Sequence, residues 1–289
     1  MPPVAATSQV GTTYLEVNGQ AFPVMACSLP DIGWETVASA GPEGRRRLGP
    51  AKLGPLTVRF TPPAMTPLAG WVEALAGNRM DLLDLAVLLT DGNGKVRERL
   101  QLVGCVLTGL RFPECSAADK DIFAVEAVFE PTALAVGASG ATVKPAAPGR
   151  AKKWLAANFS VSMPDLPTTR IGRVGAISLS RTLVSEHAGR VGTVRRPGPV
   201  ALSPLALTVV GPDCSVWRDA ALKQMAGGAP VGPRVVHVEL RDVSLKSVLA
   251  SFRFEVLGLS GFSFDPPGAA GVAGATARFE LESLQFSVE

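Results

Sequence analysis

The residue types that most often carry chemistry are sparse in this chain: two histidines, His187 and His237, and four cysteines, Cys27, Cys105, Cys115 and Cys214. No two cysteines stand in the Cys-x-x-Cys spacing of a zinc loop, so a zinc site built from Cys and His is excluded by inventory. A Cys–His nucleophile fares no better, because both histidines lie in the second half of the chain, away from Cys27, Cys105 and Cys115, and Cys214 opens a predicted helix. The cysteines read as inert, reduced, buried or half-buried thiols, His187 as a loop residue and His237 as part of an alternating strand. No GxxxxGK[ST] or GxGxxG run leads from a strand into a helix, which removes the usual phosphate cradles. Glu126 and Glu282 recur in matching contexts but in different halves, whereas acid–base catalysis needs two such groups on one substrate. They read as solvent- or lumen-facing strand residues, or as a shared structural or contact role. The arginine pairs Arg46-Arg47 and Arg195-Arg196 fit two readings: forks that meet carboxylates across an interface, or solvated loop charge. No catalytic, cofactor-binding or metal-binding residue is assigned, and an enzyme is not expected.

The elements that hold these residues come in two sets. Arg46-Arg47-Leu48-Gly49-Pro50-Ala51-Lys52-Leu53-Gly54-Pro55-Leu56 returns as Arg195-Arg196-Pro197-Gly198-Pro199-Val200-Ala201-Leu202-Ser203-Pro204-Leu205, with seven of eleven positions identical. Further along, Trp71 answers to Trp217, and Leu107-Thr108-Gly109-Leu110-Arg111-Phe112 to Leu259-Ser260-Gly261-Phe262-Ser263-Phe264. Phe123 to Val128 answers to Phe279 to Leu284, which aligns Glu126 with Glu282. The expected organisation is a tail over 1–12, a domain over 13–131, an Ala, Gly and Pro-rich linker over 132–155 and a second copy over 156–289.

Each copy reads as a strand (Tyr14 to Val17; Phe159 to Met163), a second strand (Pro23 to Leu29; Ile171 to Leu179), a long Gly, Pro and Arg-bearing loop, a third strand (Leu56 to Phe60; Leu205 to Val210), one helix, then three strands. The helices are expected over Pro67 to Ala76 and Cys214 to Ala226, with Asp213 as an N-cap and Trp71 and Trp217 as core anchors. Asp91-Gly92-Asn93-Gly94 is a hairpin turn between apolar runs. Fold class is therefore mainly β: two tandem antiparallel sandwich or barrel domains, each with one flanking helix. Thirty glycines and 24 prolines punctuating short apolar runs support the same class. With 47% hydrophobic residues the chain can bury substantial cores, and its net charge of +3 is spread too thinly to imply a nucleic-acid or membrane-surface field. No apolar run reaches the ~18 to 20 residues of a membrane span, and the first twelve residues lack a Sec-type signal, so synthesis in the cytoplasm without membrane insertion is expected.

The order of these elements, together with Glu186-His187-Ala188-Gly189-Arg190-Val191-Gly192-Thr193-Val194-Arg195-Arg196-Pro197-Gly198, resembles the tail tube proteins of contractile-tail phages and contractile injection systems. The first copy keeps Arg46, Arg47 and Gly49 of that loop but replaces the preceding segment with Ala40-Gly41-Pro42-Glu43-Gly44. The resemblance implies small β domains with open sheet edges that close into rings around a channel, the rings stacking into a tube. Such closure removes edges that are a liability in a monomer.

On that resemblance the chain is a structural subunit whose main partner is itself, with sheath, baseplate or hub and terminator proteins beside it and a protein payload or DNA in the lumen. It would become part of a virion or injection particle, with no cofactor. Three tandem chains would supply a six-domain pseudo-hexameric ring. Arg46, Arg47, Glu186, Arg190, Arg195 and Arg196 are the expected ring-stacking residues; Trp71, Trp217, Gly109, Gly261, Glu126 and Glu282 are the repeat-equivalent structural ones. A hub or tube-initiating protein that forms one ring and stops has the same sequence requirements. A two-domain binding module acting by avidity is the rival from another class, opposed by the scarcity of aromatic residues, with one tyrosine and four tryptophans.

Overall fold

The computed structural model describes residues 12–38, 46–137, 140, 142–143, 154–187, 193–227, 235–265 and 274–289. In chain order the elements are β1 (Thr13–Val17), β2 (Gln20–Pro23), β3 (Ala26–Ser28), β4 (Ile32–Ala38), β5 (Arg46–Leu53), β6 (Leu56–Phe60), a 3-10 turn (Pro62–Leu68), α1 (Ala69–Ala76), β7 (Leu83–Thr90), β8 (Val96–Phe112), β9 (Cys115–Ser116), β10 (Val125–Glu130) and β11 (Ala133–Gly137). There follow β12 (Phe159–Ser162), β13 (Ile171–Val174), β14 (Ile177–His187), β15 (Thr193–Leu202), β16 (Leu205–Val210), α2 (Asp213–Met225), β17 (Val235–Arg241), β18 (Val248–Asp265) and β19 (Gly274–Val288). The protein is mainly β and its sheets are antiparallel, as the alternating patterns require. Two compact units form: Met1–Phe60, Met80–Thr108 and Glu126–Gly149 make unit 1, and Thr61–Arg79, Gly109–Val125 and Arg150–Glu289 make unit 2. The segments 61–79 and 109–125 thus group with unit 2, although they precede the second sequence repeat. Among the described residues no helix is long and apolar enough to cross a membrane.

Unit 1 is a sheet in the order β2-β1-β7-β8-β10-β6-β3, with β11 also on β8. Leu15, Val17, Leu56, Val58, Phe60, Leu85, Leu102 and Phe129 form its buried face, the inward half of each alternating strand. The β1–β2 hairpin turns at Asn18 and Gly19, both at positive φ (50° and 77°), the geometry that makes Asn-Gly the preferred two-residue loop. In the β7–β8 turn the Asp91 carboxylate accepts from the Asn93 and Lys95 amides, each at 3.0 Å.

Unit 2 repeats the plan: its sheet runs β12-β17-β18-β19-β16-β13-β9. α2 seats Trp217 in the core, edge-on to Phe279 with ring centroids 6.1 Å apart, its indole N–H donating to Pro167 O at 3.0 Å. Trp71 on α1 is only half-buried; Ala74 and Leu75 form that helix's buried side, behind Met65 and Leu68 of the preceding turn.

Several expectations change. Residues 31–52 and 180–201, read as loops from their Gly, Pro and Arg content, contain the hairpins β4–β5 and β14–β15. Strand pairing over many residues outweighs their weak local preference. The predicted second strand of the first copy is two short strands, β2 and β3, with Val24 and Met25 between them. Asp213 is the first residue of α2 rather than its cap, which is Pro212 with no side-chain hydrogen bond; its carboxylate still sits where the helix N-terminus is positive. Within the expected linker, Ala133–Gly137 pairs with β8, and Val143 and Trp154 are buried.

Candidate functional site

Each unit carries a hairpin that departs from its main sheet, and these hairpins hold the arginine pairs. In unit 1, β4 and β5 pair from Ile32 opposite Leu53 to Ala38 opposite Arg46, with a register shift between Trp34 and Thr36. In unit 2, β14 and β15 pair from Leu179 opposite Leu202 to His187 opposite Thr193, with a shift between Arg181 and Leu183. The irregularity falls at the same place because Pro and Gly occupy matching positions of the returning strand: Gly49-Pro50 and Gly198-Pro199. At Gly198 a Cβ would stand 2.8 Å from Thr182 Oγ1 and 3.1 Å from its backbone oxygen, so a side chain at this crossing requires Thr182 to shift.

The start of β14 is completed inside unit 2. Gly109, Leu110, Arg111 and Phe112 pair with Ser180, Leu179, Ser178 and Ile177, and β9 continues this along β13 with Cys115 opposite Val174. Ser203 N–H donates to Ser178 O and Ser178 N–H to Ser203 Oγ, each at 2.9 Å. The Ser178 peptide groups therefore face β15, and by strand alternation those of Leu179 face the β8 segment. Phe112 is 1% exposed and packs against Phe252 and Phe286, centroids 4.9 and 5.0 Å away. Leu179 is 3% exposed, and Arg181, 6% exposed, donates from Nη1 to the Arg79 carbonyl just beyond α1.

The matching start of β4 has a different surface. Gly54 N–H donates to Asp31 O at 2.9 Å, so the Ile32 peptide groups face away from β5. Among the described residues β4 pairs with β5 alone. Ile32 is 50% and Trp34 56% exposed on β4, and Leu48 on β5 is exposed as well, so this hairpin carries three exposed large apolar residues. The Gly, Pro and Arg content of this segment predicts a loop and hides the strand; its signal is the alternation Ile32, Trp34 with Gly33 between.

Of the expected stacking residues, Arg46 and Arg47 lie in β5 opposite Ala38 and Val37, and Glu186 in β14 opposite Val194. The side chains of these three, and all of Arg190, lie outside the described residues. Arg195 stands opposite Ser185 and Arg196 opposite Val184, the first half-buried and the second exposed. Gly109 lies opposite Ser180 in the covering strand, Gly261 opposite Arg278 in β18. Glu126 is half-buried and Glu282 exposed, both on outward positions of their strands.

Burial pushes the Cys27 thiol up to about 11, and burial, with Glu114 and Asp119 adding negative charge, pushes Cys115 up to about 12. Both are held as neutral thiols. Sequence reading also passed over a second carboxylate turn: Asp242 accepts from Ser244 Oγ and from the Lys246 and Ser247 amides, as Asp91 does in the matching turn of unit 1.

No protein-family model matches the sequence, and no curated protein does. Solved structures that match part of this chain include the sheath/tube terminator of an extracellular contractile injection system (PVC), 20% identical, TM-score 0.39, over 48% of this chain and 99% of that one. The sheath–tube complex of such a system is 21% identical, TM-score 0.40, over 47% and 94%. Hcp1 from Flavobacterium johnsoniae is 16% identical, TM-score 0.34, over 46% and 99%.

Proposed function

We propose that this chain is a non-enzymatic structural subunit of a phage-tail-like tube, built by tandem duplication of one tube-like domain and assembled as rings of three chains. The observation that carries the reading is the repeated topology. The orders β1-β7-β8-β10-β6-β3 and β12-β17-β18-β19-β16-β13 match strand for strand, and each sequence copy adds a departing hairpin and one helix in the same place. Two such domains in one chain supply two sets of edges, and head-to-tail contacts that close generate a ring. The arginine-bearing hairpins then serve contact between rings, where guanidinium groups meet carboxylates of the next layer.

Negative-stain microscopy of the purified protein over a concentration series, with native mass of isolated particles, tests this. Stacked rings with a central hole and three chains per ring are expected. Six chains per ring would refute the stoichiometry, and a monomer at every concentration would refute the assembly. Single rings that never stack would move the role to the hub or tube initiator. Replacing Arg195 and Arg196 together by Glu is expected to leave rings intact and stop their stacking; unchanged tubes would remove those residues from the contact.

A further inference from the structure

Unit 2 contains a seat that is filled, and unit 1 the same seat left open. The sequence repeat aligns Leu53 with Leu202, and these stand opposite Ile32 and Leu179, which makes Pro30, Asp31, Ile32 and Gly33 the counterparts of Ile177, Ser178, Leu179 and Ser180. The same repeat makes Gly261, Phe262, Ser263 and Phe264 the counterparts of Gly109, Leu110, Arg111 and Phe112. In unit 2 the last four cover the edge of β14. Among the described residues their counterparts in β18 pair with no strand on that edge: β17 runs along β18 only from Val248 to Glu255, and β19 occupies the opposite edge. Phe264 is 66% exposed where Phe112 is buried, and its ring stands edge-on to Phe262, centroids 5.3 Å apart. One half of a joint is thus exposed on β18 and the other half on β4.

We propose, resting on the ring-subunit reading above, that Gly261–Phe264 of one copy adds as a strand to Pro30–Gly33 of a second copy, Phe262 opposite Ile32 and Phe264 opposite Pro30. The occupant is a second copy because the complementary edge belongs to this chain and its repeat already occupies the equivalent seat. The Ile32 N–H and C=O, turned away from β5, accept such a strand, with Pro30 contributing a carbonyl only. The helices follow the same rule. Arg181 takes the carbonyl of Arg79 beyond α1; counting from the Trp71–Trp217 match, the partners at the open joint are Trp34 and Met225. Both are exposed, as is Leu222 one turn earlier on α2. A thioether against an indole replaces the guanidinium-to-carbonyl bond, a favourable contact that needs no buried charge.

Directly opposed residues of a hydrogen-bonded antiparallel pair lie about 5.5 Å apart at Cα, within disulfide reach. Ile32→Cys combined with Phe262→Cys is therefore expected to give, on mild oxidation of assembled protein, covalent species of two and three chains and nothing larger. Either single variant should give none, and Ile32→Cys with Ser263→Cys, one residue out of register, should give far less. Pro30→Cys with Phe264→Cys tests the same register at a second point, should the first pair fail to fold. Rings of normal mass in which neither in-register pair cross-links would overturn the pairing while leaving the ring reading in place. Protein that stays monomeric before oxidation would overturn both.

Discussion

The β4–β5 and β14–β15 hairpins are the same device in two environments. Both leave the main sheet after a short strand, both break register at a Gly-Pro of the returning strand, and both place an aliphatic residue, Ile32 or Leu179, with its peptide groups turned outward. In unit 2 that edge is sealed by the end of β8, and Ile177, Leu179 and Arg181 along it are buried. In unit 1 the apolar residues of the matching edge are open to solvent. The difference does not come from hydrophobicity, since Trp34 stands where Arg181 is buried and the open edge is the more apolar of the two. It comes from supply: the first copy's strand end and helix reach the second copy's hairpin, while among the described residues β4 pairs with β5 alone. On the proposed pairing, the chain carries one satisfied joint and the two halves of another.

The largest expected effect breaks the satisfied joint. Phe112→Ala removes a fully buried ring that meets Phe252 and Phe286 and should cost about 3–5 kcal/mol of folding stability, whereas Phe264→Ala should change monomer stability by less than about 0.5 kcal/mol yet impair assembly. Denaturant unfolding and native mass, run on both variants, separate these outcomes; equal stability losses would mean that the two positions are not alternative states of one joint. Trp34→Asp comes next: a tryptophan anchor is commonly worth about 2 kcal/mol or more at an interface, so the assembly midpoint should rise at least tenfold in concentration with the monomer fold unchanged by circular dichroism. An unaffected midpoint would take Trp34 out of the contact.

Smaller effects sharpen the likeness between the halves. The Lys95 amide, with Asn93 and Arg97, holds the Asp91 carboxyl below the usual carboxylate range, and Ser244, with the Ser247 and Lys246 amides, does the same for Asp242. A carboxyl whose folded pKa is depressed contributes stability that is present above its unfolded pKa and lost as pH falls through the lower folded value. Asp91→Asn and Asp242→Asn should each flatten the acid side of the melting-temperature profile by a similar small amount while changing assembly at neutral pH little. Unequal slopes would show that the two turns are not energetically equivalent. Least of all, the raised thiols of Cys27 and Cys115 should react slowly with alkylating reagents at pH 8 in the folded protein and fast once unfolded; equal rates would contradict their burial.

Much of this was legible in the sequence where local pattern and burial agree. The strands Leu56–Phe60 and Leu205–Val210, the turn at Asp91 and the extents of both helices follow from alternation, turn chemistry and helical stop signals. The hairpins were not legible, because Gly49-Pro50 and Gly198-Pro199 carry loop chemistry and only long-range pairing makes strands of their neighbours. Nor was the difference between the joints: Ile32 and Leu179 have similar residue types, and which of them is covered depends on where residues 109–112 and 61–79 are carried by the chain. The repeat located the equivalent positions, but only the structure distinguished occupied from vacant.

Amide hydrogen exchange on the unmodified chain reads out whether the open edge of β4 receives β18 of a second copy. Exchange should be followed at Ile32, Phe262 and Phe264, above and below the assembly midpoint, with Leu179 as the internal reference. Leu179 is expected to be protected at every concentration, while Ile32, Phe262 and Phe264, whose amides face the open edges, gain protection together only on assembly. Assembled rings in which Ile32 exchanges as fast as in the monomer would contradict this pairing.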